Sequence, residues 1–256
     1  ALAFESRVHR LNALTHGQGS DEVLAEAAAL HQWARTDLQR VQALRVEVDL
    51  LANRGQTERA LDQGLQAMAL ARRVDAQQEL LWLATPVCGC LFLHGRADEA
   101  QALLLPLQDW VEAHGDPLER ARYLSLRASA AENLGRMGEG RLLLERCLAI
   151  EREQGVQVLV ATSLQHLAVS YGRAGLIPQA ESAAREAAGL CAPEERGSMR
   201  EGGTLFTHAR YLADLGHYAP ALTLLDYVLP LLQSLQLAFW PEAAALLQAH
   251  IHVRLG

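Results

Sequence analysis

Lysine is absent from this sequence, so all 23 residues of the Lys and Arg class are arginine. Without a lysine amine, the chain cannot form a lysine Schiff base or supply the lysine of a phosphate-binding loop. Cysteine is also scarce: four scattered residues do not make a disulfide framework, and this usage is typical of a reducing cytoplasm. Aromatic residues make up only 5% of the chain, while alanine and leucine dominate, which favours closely spaced helices over strands.

Long apolar runs and excess positive charge are missing as well. No apolar run approaches the ~18 residues that a membrane span needs. The formal net charge of −7 opposes nonspecific binding to nucleic-acid phosphates or an anionic membrane, so we expect no direct contact with either. The first ten residues contain neither an initiator methionine nor a secretory pattern, which predicts a fragment of a longer chain.

Glycine recurs with a regular period along the chain. Each member of one series follows the previous one after forty positions, or forty-one in the last step, at Gly55, Gly95, Gly135, Gly175 and Gly216. Gly17 and Gly256 extend this series at its two ends with nearly the same spacing. Glycine adopts the left-handed conformation that ends a helix at little steric cost, so each position predicts a tight turn between two helices.

Small residues flank these turns at fixed distances. Five positions after the glycines stand Ala60, Ala100, Gly140, Ala180 and Ala221, and seven positions before them stand Val48, Cys88, Ala128, Ala168, Ala209 and Ala249. Two such columns allow antiparallel helices to pack closely, because the backbones can approach one another. Leucines nine positions after the glycines are expected to fill the space between helix pairs, and these include Leu104, Leu144 and Leu225.

Second breaks follow about twenty positions after each glycine, near Asp75, Gly115, Gly155, Pro193 to Gly197, and Trp240. Each unit of about forty residues is therefore predicted to be a helix, a turn, a second helix and a linker. The chain would then hold seven first and six second helices, in units 1–36, 37–75, 76–116, 117–156, 157–197 and 198–238 and a partial unit 239–256.

Two positions depart from this pattern. Pro86 falls inside a predicted first helix, so that helix either kinks there or begins afresh at Thr85. In the first unit, Ser20 is a candidate helix cap, but Glu22 occupies the column that should hold a small residue.

The segment Ala168-(x)6-Gly175-(x)4-Ala180, with Tyr171 inside it, resembles the tetratricopeptide repeat. The period of forty, longer than the ~34 residues usual for that family, resembles the extended repeats of kinesin light chains. The segment "RLLLERCLAIEREQG" is similar to their second helix and linker. The resemblance implies an all-α fold, a right-handed superhelical solenoid of antiparallel helix pairs that forms a single array over residues 1–256.

Candidate catalytic and metal-binding groups are few. Cys88 and Cys90 are two positions apart, so on a helix their thiols point about 200° apart and do not share a metal ion. His250 and His252 have the same spacing. No phosphate-binding loop, zinc-protease helix or nucleophile elbow is present. The sequence therefore predicts a protein that is not an enzyme and that carries no cofactor or metal.

In tetratricopeptide arrays the first helices line an inner, concave surface, with exposed positions thirteen, ten, six, three and two places before the turn glycine. Applied from the second turn onward, this rule of the family selects the candidate binding residues Trp82, Arg122, Asn133, Gln165, Arg173, Phe206 and Arg210. Guanidinium and amide groups suit a carboxylate or phosphate, and aromatic rings suit an apolar body.

The arrangement resembles the clamp that holds a peptide carboxylate in some family members, although its lysines are absent here. The expected partners are a protein, a peptide or a small acidic effector. The alternative is that these arginines only pair with Glu132, Asp214 and their neighbours on a hydrated surface.

Repeats rich in Ala, Leu and Arg also resemble the sensor regions of multidomain bacterial transcription activators. We therefore expect a non-catalytic module, binding a protein or an effector, of a larger bacterial regulatory protein in the cytoplasm, and specifically of a transcriptional activator. The alternatives are a scaffold that assembles other proteins and an accessory region of a cyclase or kinase. The incomplete last unit leaves a helix face uncovered, through which a homodimer could form.

Overall fold

The computed structural model describes residues 2–15, 21–191, 196–235 and 240–256. These residues form α-helices and two short 3₁₀ helices, Leu30–Gln32 and Leu105–Leu107, and no strand occurs among them. The α-helices are Leu2–Thr15 (α1), Asp21–Ala29 (α2), Asp37–Asn53 (α3), Thr57–Arg73 (α4), Gln77–Leu93 (α5), Ala97–Leu104 (α6), Gln108–His114 (α7), Pro117–Asn133 (α8), Met137–Gln154 (α9), Gln157–Arg173 (α10), Ile177–Gly189 (α11), Met199–Asp214 (α12), Tyr218–Ser234 (α13) and Trp240–Leu255 (α14).

The chain divides into two compact units, which we call unit 1 (1–136) and unit 2 (137–256). In unit 1, the first helices of the repeats are α1, α3, α5 and α8. The second helices are α2, α4 and the broken helix made of α6 and α7. In unit 2, α10, α12 and α14 are first helices, while α9, α11 and α13 are second helices. The predicted all-α fold of helix pairs is confirmed, and the single array over all 256 residues stays a prediction.

The turn glycines have the conformation that the sequence predicts. The backbone angle φ lies between +69° and +81° at Gly55, Gly95, Gly135, Gly175 and Gly216. At Gly55 the amides of the turn bond back to the end of α3, with Gly55 N to Ala52 O at 3.0 Å and Gln56 N to Leu51 O at 2.9 Å. This arrangement satisfies carbonyls that the end of a helix otherwise leaves free. Gly17 and Ser20 lie outside the described residues.

The small columns are buried where helices pair. All five residues of the column after the turns are buried, and so are Val48, Cys88, Ala128, Ala168 and Ala209 of the column before them. Leu104, Leu144 and Leu225 are buried as predicted. Ala249 is exposed, so the prediction of a buried small residue is wrong there. The reason is that no second helix follows α14 among the described residues to cover that face.

Proline has different effects in two helices of unit 1. Pro86 is buried inside α5, which is one continuous helix from Gln77 to Leu93, so a fresh start at Thr85 is wrong. Pro106 lies in the 3₁₀ segment that separates α6 from α7. Proline lacks the amide that an α-helical turn uses, so a second helix that the repeat pattern predicts as continuous is broken here.

The second breaks also use positive φ angles at several positions. Gly155 and Gly197 have φ values of 70° and 78°, and Asp75 has a φ of 53°. Gly115 ends α7 in an extended conformation, with φ −62°. Pro193 to Glu195 lie outside the described residues, and Trp240 begins α14. None of the helices described in full is long and apolar enough to cross a membrane.

Candidate binding site

Three consecutive first helices of unit 1 carry one cluster of polar and aromatic side chains. We call it the unit 1 cluster; α3 supplies Gln42, Arg45 and Asp49, α5 supplies Glu79, Trp82 and Thr85, and α8 supplies Arg122. These helices contact one another in the order α3, α5, α8. The stacking of repeats therefore brings together residues that lie about forty positions apart in the sequence.

The two predicted residues Trp82 and Arg122 meet directly. The guanidinium carbon of Arg122 lies 3.9 Å from the centroid of the Trp82 ring, a cation–π distance. Arg122 Nη1 also donates to Thr85 Oγ1 at 3.0 Å. Trp82 remains 37% exposed, so part of its apolar ring is open to a ligand.

Helix α3 adds residues that the sequence analysis missed. Arg45 Nε donates to Glu79 Oε2 at 2.9 Å, and Gln42 Nε2 donates to Glu79 Oε1 at 3.1 Å. Gln42, Arg45 and Asp49 stand thirteen, ten and six places before Gly55, so the offset rule would have selected them had it begun at the first described turn. Glu79 stands at none of these offsets, and nothing in its sequence position identifies it as a candidate binding residue.

Asp49 is the least satisfied member of the unit 1 cluster. Its Oδ2 lies 3.7 Å from Arg45 Nη1, which is an ion-pair distance but too long for a hydrogen bond. Burial raises the pKa of Asp49 to about 6, although Arg45 and Arg122 pull it down, and Glu79 adds to the rise. Burial likewise lowers the pKa of Arg122. The cost of removing these charges from water thus exceeds the gain from their mutual attraction.

Asn133 does not join the unit 1 cluster. Its side-chain amide donates to the carbonyl of Ser129 in its own helix at 2.9 Å. It also lies eleven positions after Arg122, a rise of about 16 Å along α8. Its predicted role in ligand binding stays a prediction that this arrangement does not favour.

In unit 2, an aromatic pair joins α12 to α14. The rings of Phe206 and Trp240 meet edge to face, with centroids 5.7 Å apart and planes at 71°. Gly203 lies beside this pair, because a Cβ atom there would meet the Trp240 ring at an ordinary contact distance of 3.6 Å and would crowd Gln165 Nε2 at 3.1 Å. The predicted residues Gln165 and Phe206 therefore share a surface with Trp240, which the sequence marked only as a break.

The predicted arginines of unit 2 flank a buried tyrosine. Tyr211 is 1% exposed, and burial raises the pKa of its hydroxyl, although Arg210 and Arg173 oppose part of that rise. The guanidinium carbon of Arg210 lies 5.5 Å from the centroid of the Tyr211 ring. Both arginines are themselves exposed. Tyr211 packs against Gly172, whose missing side chain admits the ring. We call Gln165, Arg173, Phe206, Arg210 and Trp240 the unit 2 cluster.

Cysteine and histidine side chains form other contacts. Cys88 and Cys90 are buried in α5, and burial raises the pKa of Cys88 to about 12, which makes an unreactive thiol. His208 Nε2 lies 3.1 Å from Glu181 Oε1 in a partly buried pair. Within the described ranges, no group of three or more His, Cys, Asp or Glu side chains has the arrangement of a metal site.

No protein-family model and no curated protein matches the sequence. Several solved structures resemble it. NprR, in complex with its cognate peptide NprX, is 14% identical, with a TM-score of 0.66 over 91% of this chain and 68% of NprR. A signal-transduction ATPase from Pyrococcus horikoshii with a tetratricopeptide-repeat sensor is 13% identical, with a TM-score of 0.67 over 92% of this chain and 36% of the ATPase.

The nearly identical repeats of a Podosopora anserina protein of kinesin light chain type are 17% identical, with a TM-score of 0.58. That match spans 79% of this chain and 99% of the other. At such low identity the likeness concerns the fold alone. The described helix pairs and these structures together establish that this chain has a tetratricopeptide-like repeat fold.

Proposed function

We propose that this chain is a non-catalytic binding module whose first-helix surfaces take up a peptide, a protein segment or a small acidic effector. The observation that carries the proposal is the unit 2 cluster. A part-exposed aromatic pair there adjoins an amide, and two exposed arginines lie on the same helices, α10 and α12. Rings of this kind bind an apolar body, while guanidinium and amide groups bind carboxylate or carbonyl oxygens.

The regulatory part of the proposal is supported by the similar structures. NprR holds its cognate peptide, and the Pyrococcus horikoshii ATPase carries its repeats as a sensor. We propose by analogy that this chain is the sensor of a larger bacterial regulatory protein, a cytoplasmic transcriptional activator. Ligand binding would act by stabilising one packing of the helix pairs over another, which requires different contacts in the two states.

Selection from a displayed random peptide library tests the binding function. Enriched peptides are then measured by fluorescence anisotropy against Phe206→Ala and Arg210→Gln, with Leu142→Ala and Arg146→Gln on α9 as matched controls. Leu142 and Arg146 are exposed on a second helix, so their loss removes the same chemistry from another surface. We expect each first-helix variant to weaken binding about tenfold or more, which is the loss of one well-placed contact, and the controls to bind like the wild type.

A library that yields no enriched peptide, or peptides that bind the Phe206 and Arg210 variants as tightly as the wild type, would contradict the peptide function. A thermal-shift screen of small carboxylic acids covers the effector alternative with the same variants. The complete open reading frame tests the regulatory role: a DNA-binding domain beside the repeats agrees with an activator, and a cyclase or kinase domain contradicts it.

A further inference from the structure

We propose that the exposed face of α5 forms a binding slot for an uncharged aromatic small molecule, with Gly89 as its floor. We call Trp82, Gly89, Phe92 and Leu93 the α5 slot. The inference does not rest on the proposed function, because the unit 2 cluster plays no part in it and the ligand is neither a peptide nor an acid.

Nothing in the described structure requires a glycine at position 89. Gly89 lies inside α5, four residues before the helix ends at Leu93, and its φ angle is not in the left-handed region. A Cβ atom at this position would have no described atom within 4 Å apart from its chain neighbours and the backbone of its own helix. Glycine is less favourable in a helix interior than every residue except proline. The chain thus has an unfavourable residue at a place where a side chain would fit.

The other helical glycines have a structural explanation. A side chain of a neighbouring helix lies too close for a Cβ atom to be added without a shift at Gly64, Gly172, Gly202 and Gly203. Gly138 and Gly189 have open surroundings, but Gly138 lies in the first turn of α9 and Gly189 is the last residue of α11, where glycine costs less than in a helix interior. Among the glycines whose surroundings are described, Gly89 is the one inside a helix that lacks such an explanation. The gap above it is therefore room for a ligand.

The exposed face of α5 around Gly89 is apolar and uncharged. No charged residue follows Glu79 in α5. Leu93, four positions after Gly89, is 76% exposed, and Trp82, seven positions before it, is 37% exposed. Residues at these spacings share one face of a helix, so both side chains lie on the face of the gap. The first helices α3, α8, α10 and α12 differ, because each carries an arginine at one of the exposed offsets.

The nearest arginines of the unit 1 cluster already have partners. Arg45 Nε donates to Glu79 Oε2 at 2.9 Å, and Arg122 donates to Thr85 and lies 3.9 Å from the centroid of the Trp82 ring. An ionic ligand would have to replace these contacts, whereas an uncharged ligand leaves them in place. Trp82 and the half-buried Phe92 also supply rings, against which another aromatic ring packs favourably.

A small molecule suits the α5 slot better than a peptide does. From Pro86 to Leu93, no exposed side chain of α5 is a hydrogen-bond donor or acceptor. A bound peptide brings backbone amides and carbonyls, and these groups are costly to bury without hydrogen-bond partners. A compound such as indole has a single N–H group and buries mostly apolar area.

Indole is the probe for the experiment. It is titrated into the nitrogen-15-labelled chain, and proton–nitrogen correlation spectra follow the backbone amide of Gly89 and the side-chain N–H of Trp82. The two resonances are assigned by their disappearance in Gly89→Ala and Trp82→Phe. We expect both to shift with a common Kd of about 1 mM or tighter, in keeping with a ligand of this size.

Filling the gap separates binding from folding. Gly89→Leu should weaken indole binding at least about tenfold, measured at the Trp82 resonance, because its side chain takes the place of the ligand. Gly89→Ala should raise the melting temperature by about 2–4 °C, since alanine favours the helix and displaces nothing. The matched control is Gly138→Leu, which adds the same side chain at another open helical position and should leave indole binding unchanged.

Four results would overturn the proposal: no shift of either resonance with indole, equal binding of indole to Gly89→Leu and the wild type, a Gly89→Ala variant that melts below the wild type, or tighter binding of indole-3-carboxylate than of indole. Tighter binding of N-acetyltryptophan amide than of indole would assign the slot to an aromatic side chain of a partner and reject a small molecule.

The outcome is independent of the proposed function. A peptide selection that fails at the unit 2 cluster while indole shifts Gly89 would reject the proposed peptide function and retain the α5 slot. The reverse result would retain the peptide function alone.

Discussion

Replacing Gly172 by alanine has two opposing effects on the stability of the fold, and the size of each is known. Gly172 lies in α10, where alanine favours the helix over glycine by about 1 kcal/mol. Its Cβ atom would, however, lie 2.6 Å from both Cε1 and Cζ of Tyr211. Tyr211 is 1% exposed, and well-packed interiors contain few voids into which such a ring could swing. Overpacking of this kind costs about 1–3 kcal/mol, so steric overlap wins.

We expect Gly172→Ala to lower the free energy of unfolding by up to about 2 kcal/mol, the difference between the two effects. Urea denaturation followed by circular dichroism measures it, with the change read from the midpoint at constant slope. The matched control is Gly138→Ala in α9 of the same unit, where the added methyl group would have no described atom within 4 Å apart from its chain neighbours and the backbone of its own helix. That control should be stabilised by a few tenths of a kcal/mol or more.

A second variant separates packing from backbone effects. In a Tyr211→Leu background the ring is gone, so Gly172→Ala should become neutral or stabilising, and the double-mutant cycle should give a coupling energy of about 1–3 kcal/mol. If Gly172→Ala is as favourable as Gly138→Ala in the wild-type background, the described contact between α10 and α12 is wrong. The placement of Tyr211 beside Arg173 and Arg210 would then be wrong as well.

Four further substitutions have defined outcomes. Ala180→Leu inserts a large side chain into a fully buried column and should cost about 1–3 kcal/mol in urea denaturation; a neutral result would mean that the helix pair is misplaced. Ser170→Ala should stabilise by about 1 kcal/mol, because the Ser170 hydroxyl is buried with no hydrogen-bond partner among the described residues, and a loss of stability would reveal one. Asp75 has a φ of 53°, so Asp75→Gly should raise the free energy of unfolding by up to about 1 kcal/mol and the melting temperature with it. Asp75→Ala, which keeps the backbone strain, should raise neither. Burial raises the pKa of Glu151, so its contribution to stability is present at low pH and is lost as the pH rises through the folded pKa. Glu151→Gln should therefore stabilise the protein near neutral pH and lose that advantage below the ordinary pKa of a glutamate. An equal effect at both pH values would contradict the burial of this charge.

The repeat pattern could be predicted from the sequence because its causes are local. Left-handed turn geometry depends on glycine itself, and close helix pairing depends on small residues at a fixed distance from the turn. The exposed Ala249 marks the limit of this reasoning. A small residue permits close packing, but burial also requires a neighbouring helix.

The candidate site was only partly predictable. The offset rule selected Trp82 and Arg122, which are in contact in unit 1, and Gln165 and Phe206, which share a surface in unit 2. An arginine side chain spans much of the ~8–10 Å between the axes of packed helices, so its partner need not lie at the same offset. Asn133 shows the opposite case, since its amide bonds to its own helix even though its offset matches the rule.

Period, turn conformation and helix pairing were thus determined by the sequence alone, because they arise from residue types at fixed short distances. The tertiary structure alone decided which charged groups are desolvated and which partners they contact. Glu79 and Tyr211 reach their places from positions that the sequence pattern does not single out, and the pKa of Asp49 is raised mainly by burial in the folded protein. Desolvation depends on the whole surroundings of a group, and those surroundings come from residues about forty positions away.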